Sequence, residues 1–135
     1  MAGINVQYQG KLRCKAAREQ DGQAVQTDVG TEHGGLGEFL SPVEMAVAAL
    51  ANCASSMVAV VAEHNGVDVS GMKTTTAFEM AGSPVRRIGS VQLTFKLPKS
   101  VPEAVRPKLA AAAKACPVKN SMHPDVRVGI DLVYG

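Results

Sequence analysis

Between Met45 and Ala62 the chain runs for eighteen residues without a charged side chain, and a segment of that kind has to be hidden from water, in lipid or in a protein core. Asn52, Ser55 and Ser56 near its middle, its many alanines and the lack of flanking basic residues fit a buried soluble helix rather than a membrane span. Its start is written in Ser41-Pro42-Val43-Glu44: a serine cap, a proline at the first helical position and a glutamate two residues further on form a capping box. Asn65-Gly66 supplies the stop, with glycine free to take the left-handed cap. Some 22 residues at about 1.5 Å each make a rod of roughly 33 Å. Met45, Val47, Leu50, Met57, Val58, Val60 and Val61 surround that rod instead of forming one stripe, so it needs cover on all sides. Part of the cover is expected from a second subunit, which the alanines at 46, 48, 49, 51, 54 and 59 would let approach closely.

The rest of the chain reads mostly as strands. Ile4, Val6 and Tyr8 alternate with polar residues, and Leu12, Cys14 and Ala16 continue that face to a turn at Gln20-Asp21-Gly22, with Gln23 to Asp28 returning. Gly30 to Glu38 is a glycine-rich loop. It lacks the Gly-Lys-Ser/Thr of a phosphate loop, but Glu32, His33 and Glu38 stand in it, just before the long helix, where loops often edge active sites. Val67 to Met80 and Val85 to Leu97 are strand-like, joined by Ala81-Gly82-Ser83-Pro84. Ser100-Val101-Pro102-Glu103 offers a second helix start, with Pro107 either kinking that helix or marking its true beginning, and Pro117 ends it. Val126 to Tyr134 alternates as a last strand. The pattern is α+β, in one domain over 1–135, with antiparallel sheets around two helices.

A net charge of +2 with no basic stripe argues against a nucleic-acid partner, and the N-terminus lacks the layout of a secretory signal. A cytosolic protein is expected. Cys14, Cys53 and Cys116 are too few and too scattered for a disulfide scaffold, so in a reducing compartment they are free or redox-active. The histidines, His33, His64 and His123, lack metal-site spacing, and neither a metal nor a cofactor is expected. Cys53 lies inside the long apolar helix, a setting that by itself keeps a thiol inert. For it to react, a cation must favour its thiolate, because the helix start lies about three turns away. Arg13, Arg18, Arg86 and Arg87 are the candidates. Cys116, before Pro117-Val118, would let an oxidised Cys53 resolve as a disulfide. Whether the two sulfurs meet is a matter of geometry.

Leu40-Ser41-Pro42-Val43-Glu44, the alanine-rich helix ending in Ala51-Asn52-Cys53, then Glu63-His64-Asn65-Gly66-Val67-Asp68-Val69, and finally Ala115-Cys116-Pro117-Val118-Lys119-Asn120-Ser121-Met122 together resemble the OsmC/Ohr family of osmotically induced and organic hydroperoxide resistance proteins. The resemblance implies an intertwined α+β homodimer with paired central helices and an active site at the subunit interface. It implies that Cys53 attacks an organic hydroperoxide and Cys116 resolves the sulfenic acid as a disulfide. A dithiol, such as a lipoyl protein carries, would then reduce that disulfide, and the cycle would serve defence against oxidative stress. Arg13 lies near the place of the family's activating arginine, with Arg18 as the fallback. Strict alternation points Arg13 away from the Leu12 and Cys14 face unless a bulge at Gly10 reverses the parity. One position departs from the pattern: the glutamate expected directly after the helix-start proline is Val43. Glu44 comes one residue late, out of phase with Cys53, and serves as a cap. The expected activity is thus a cysteine-dependent peroxidase. Its rivals are a non-catalytic dimer binding a small hydrophobic ligand, and another thiol reaction that needs Cys53 but not Cys116.

Overall fold

The computed structural model describes residues 2–135 of the chain. Its residues cluster into two compact units, one ending at Ala46 and the other spanning Val47–Gly135.

In the first unit, β1 (Ile4–Gly10), β2 (Arg13–Arg18) and β3 (Ala24–Asp28) form an antiparallel sheet in that order. The expected continuous face from Ile4 to Ala16 is in fact a hairpin. Gly10, Lys11 and Leu12 take φ of 86°, 54° and 61°, and two central residues at positive φ match the right-handed twist of paired strands. Lys11 and Leu12 are poor turn residues, which hides this bend from a reading by residue type. The anticipated irregularity is present, as a register shift between Tyr8 and Gly10. At the next bend Arg18 pairs with Asp21, whose Oδ1 also accepts the N–H of Gln23 at 3.2 Å. The loop after β3 folds back so tightly that a Cβ on Gly35 would clash with the carbonyl oxygen of Val29.

That loop leads into α1 (Pro42–His64). The capping box is formed in both directions: Glu44 N–H donates to Ser41 Oγ at 3.1 Å and Ser41 N–H to Glu44 Oε1 at 2.9 Å. At the other end Gly66 (φ 66°) closes a Schellman motif, with Val67 N–H on Ala62 O at 2.9 Å and Gly66 N–H on Glu63 O at 3.0 Å.

The second unit holds most of α1, followed by β4 (Lys73–Ala81), β5 (Arg87–Leu97), α2 (Arg106–Lys114), α3 (Pro117–Asn120) and β6 (Arg127–Tyr134). β4 begins later than the apolar pattern suggests, because Asp68 Oδ1 captures the N–H of Ser70 at 2.8 Å and turns the backbone. Pro107 sits in the first turn of α2 and marks its true start. Instead of merely ending that helix, Pro117 opens the short α3, with Cys116 as its cap. The strands pair as β4-β5-β6, antiparallel between β4 and β5 but parallel between β5 and β6. The expectation of wholly antiparallel sheets is corrected at this one pairing. The long crossover through α2 and α3 is what allows two consecutive strands to run the same way.

Val47, Leu50, Ala54, Val58 and Ala62 line one stripe of α1 and share a core with Val91, Leu93, Phe95 and Leu97 of β5, Leu109 and Ala113 of α2, and Cys116. The alternation of β5 delivers every second residue to that core. Leu50 is fully buried, and Leu50→Ala should cost about 2–5 kcal/mol, measured by urea unfolding. Ser41→Ala should cost about 1 kcal/mol by removing one arm of the capping box.

Candidate active site

Cys53 stands one residue before the buried Ala54 on α1, so it is carried at the border of the core and remains partly exposed. Two residues on, Ser55 and Thr74 share a hydrogen bond of 2.6 Å between their hydroxyls, which ties this turn of α1 to β4. Cys116 is fully buried. Its backbone is extended (φ −71°, ψ 126°), and its Sγ accepts the N–H of Lys119 at 3.4 Å as the cap of α3. The two thiols are neighbours. Burial pushes Cys116 above the ordinary thiol value, and hydrogen bonding with the Cys53 side chain pushes it further, against the opposing pull of the Lys119 and Val118 N–H groups. At neutral pH Cys116 is therefore protonated and shielded. Of the pair, Cys53 is the one open to solvent.

A separate polar cluster occupies the first unit. Arg13 and Asp28 are directly opposed in the β2–β3 register, so their side chains share one face of the sheet. Arg13 Nε donates to Asp28 Oδ1 at 2.6 Å and Nη2 to Oδ2 at 2.8 Å, a bidentate pair; Nη2 also reaches Glu38 Oε1 at 2.8 Å. The guanidinium lies 4.5 Å from the ring centroid of Phe39. Asp28 has no solvent exposure, and its Oδ2 additionally accepts the N–H groups of Glu38 at 2.9 Å and Phe39 at 3.0 Å. The Arg13 guanidinium holds the Asp28 carboxyl down to about 2, overcoming burial and assisted by the two N–H groups. Asp28 and then Glu38 in turn raise Arg13.

The candidates named from the sequence thus fall into separate associations. Cys53 and Cys116 meet; Arg13 is held by Asp28 and Glu38; the fallback Arg18 pairs with Asp21; Glu44 is spent on the capping box. Arg13 and Cys14 lie on opposite faces of β2, Cys14 pairing with Tyr8 and Thr27, so the register shift near Gly10 does not bring Arg13 onto the Cys14 face. Asp28 went unrecognised. The available signal was an aspartate closing a strand directly before a glycine-rich loop, at a position where an isolated charge would be unstable unless paired.

The fold and the thiol pair define a small α+β protein with an accessible cysteine on a central helix and a buried partner at the start of a short one. The family model for OsmC, described as OsmC-like protein, matches residues 35–131, and the chain belongs to this family. Among solved structures, a Psychrobacter arcticus protein named for an osmotic stress and detoxification response is 27% identical, with a TM-score of 0.92 over 98% of this chain and 96% of that one. An organic hydroperoxide resistance protein OsmC from Legionella pneumophila is 18% identical, with a TM-score of 0.75 over 98% and 96%. An OsmC-like protein of unknown function from Vibrio cholerae is 14% identical, with a TM-score of 0.81 over 98% and 99%. No curated protein matches the chain.

Asp28 has a folded-state pKa of about 2, below the roughly 3.9 of an unfolded aspartate. Its contribution is therefore complete above about pH 4 and is lost as pH falls toward 2. In urea titrations between pH 4 and pH 2, the unfolding midpoint should drop more steeply for the native chain than for Asp28→Asn.

Proposed function

We propose that this protein is a thiol-dependent peroxidase that reduces organic hydroperoxides, working as a homodimer in the reducing environment of the cytosol. The observation that carries the reading is the asymmetric thiol pair: Cys53 partly exposed, Cys116 fully buried against it and protonated. In the proposed cycle the Cys53 thiolate attacks one peroxide oxygen, the O–O bond breaks, and the alcohol leaves with a proton. The Cys53 sulfenic acid then meets the Cys116 thiol, which displaces water as the disulfide forms. Two electrons have passed from the thiols to the peroxide. An external dithiol, of the kind a lipoyl protein bears, returns them by exchange and leaves as a disulfide. Arg13 is the proposed activating cation, following the family resemblance.

The homodimer reading is supported by apolar surface that one chain leaves exposed. Ile4, Val6 and Tyr8 are 71%, 68% and 61% exposed, and the register brings Ala16 and Val25 onto the face of Val6. On α1 the side opposite the buried stripe presents Ala49, Asn52, Ser56 and Val60 to solvent. Light scattering at micromolar concentration should give twice the chain mass, and Val6→Lys should shift it toward the monomer.

Steady-state turnover tests the chemistry. With cumene hydroperoxide and dihydrolipoamide the native chain should turn over faster than with hydrogen peroxide, Cys53→Ser should be inactive, and Cys116→Ser should complete about one turnover and stall. Full turnover by Cys116→Ser would remove the resolving step. A Cys53 thiol that survives equimolar hydroperoxide for many minutes would favour a non-catalytic dimer that binds a small hydrophobic ligand.

A further inference from the structure

The buried thiol of Cys116 has a second occupation. It lies next to the Cys53 thiol, and its sulfur is also the cap of α3, accepting the Lys119 N–H at 3.4 Å. Pro117 at the first helical position has no N–H, so Val118 and Lys119 carry the first donors that need a partner. The four residues of α3 make one turn, too short to hold itself without a cap and tertiary contacts. Besides the sulfur, α3 has Asn120 N–H on Cys116 O at 3.0 Å, and Ser121 N–H and Oγ on Pro117 O at 3.1 Å and 2.9 Å. Val118 and Met122 pack, partly buried, on the cluster that contains Cys116.

A bond between the two sulfurs brings them closer than two free thiols approach, so one of them has to move. Cys53 is the less mobile. It sits within α1, one residue before the fully buried Ala54 and two before Ser55, whose hydroxyl lies 2.6 Å from that of Thr74 on β4. Cys116 lies at a joint between α2 and α3, in extended backbone. Its sulfur is therefore the one that turns, away from the Lys119 N–H and toward Cys53. We infer that Cys116 is a redox latch: as a free thiol it caps and closes α3, and when bonded to Cys53 it releases the turn Pro117–Asn120 and opens the buried disulfide to an external dithiol. The latch needs only the thiol pair, while its part in turnover rests on the peroxidase reading above. Burial raises the Cys116 thiol and so makes it a poor leaving group. Exchange is then favoured when the reductant's thiolate attacks the Cys116 sulfur, the S–S bond breaks and Cys53 is expelled. The dithiol's second sulfur then frees Cys116 and leaves as a disulfide. That first attack needs access to a sulfur that has no solvent exposure in the closed state, and the loss of the cap supplies it.

Diamide, which takes two electrons and two protons from the thiols and becomes the hydrazine, makes the disulfide without any peroxide. In the native chain linked this way, hydrogen exchange at the Lys119 amide, read by NMR, should be roughly fivefold or more faster than in the reduced chain. Amides of β5 should be unchanged, and trypsin should cut after Lys119 faster by a similar factor. Cys116→Ala has no cap in either state, and while reduced it should exchange at Lys119 at the linked chain's rate. Cys116→Ser keeps a capping side chain but cannot link, and should hold the Lys119 amide protected with and without diamide. In Cys53→Ser diamide should change neither readout. A linked native chain in which Lys119 exchange or cleavage stays at the reduced rate overturns the latch. So does a native chain that diamide cannot link through Cys53 and Cys116, or a Cys116→Ala chain with native protection. A chain that links and loosens with diamide but leaves hydroperoxide untouched overturns the peroxidase reading and upholds the latch.

Discussion

Everything chemical in the second unit depends on one apolar core, built by a stripe of α1, alternate residues of β5, part of α2 and the thiol of Cys116. Each Leu, Val or Phe fully buried there contributes about 1.5–3 kcal/mol, and together they fix the rotation of α1 about its axis. That rotation decides the fate of Cys53. One position further on, Ala54 is fully buried; at Cys53 the helix surface turns toward solvent while still touching the core, so the sulfur borders Cys116 and stays accessible. A burial pattern that would make a lone thiol inert makes this pair unequal, because the same core raises and conceals Cys116.

The first unit rests on a different principle. Its organising interaction is a buried carboxylate that a guanidinium and two N–H groups satisfy together. A buried charge left without partners is strongly destabilising, so Asp28 dictates where Arg13, Glu38 and Phe39 lie. Hydrophobic packing contributes less in this unit. One row of its sheet, Ile4, Val6 and Tyr8, lies largely in solvent.

What could be read from the sequence was what local chemistry determines. The Ser41–Glu44 capping box, the Asn65-Gly66 stop and the alternation of β5 each depend on residues a few positions apart, and all three are present as expected. The features that escaped notice depend on partners distant in sequence or on conformations unusual for the residue type. Lys11 and Leu12 take left-handed backbone without being turn formers. β6 reaches β5 in parallel only because a helical crossover intervenes. Asp28 finds its role through Arg13, fifteen residues earlier, and through the backbone of a loop ten residues later. Of the residues named as candidates, Cys53 and Cys116 meet as a pair, while Asp28, the carboxylate that holds Arg13, was not named.

The central claim is that the fold, and not chance reactivity, pairs Cys53 with Cys116. It is tested most directly by oxidising the reduced chain with one equivalent of cumene hydroperoxide, blocking remaining thiols, and identifying linked peptides by mass spectrometry, in parallel with the urea-unfolded chain. Cys14 serves as an internal control. The account predicts a Cys53–Cys116 linkage as the dominant product of the folded chain and a mixture that includes Cys14 after unfolding. A folded chain whose linkages involve Cys14 as often as Cys116, or in which Cys53 stays unlinked, would contradict it.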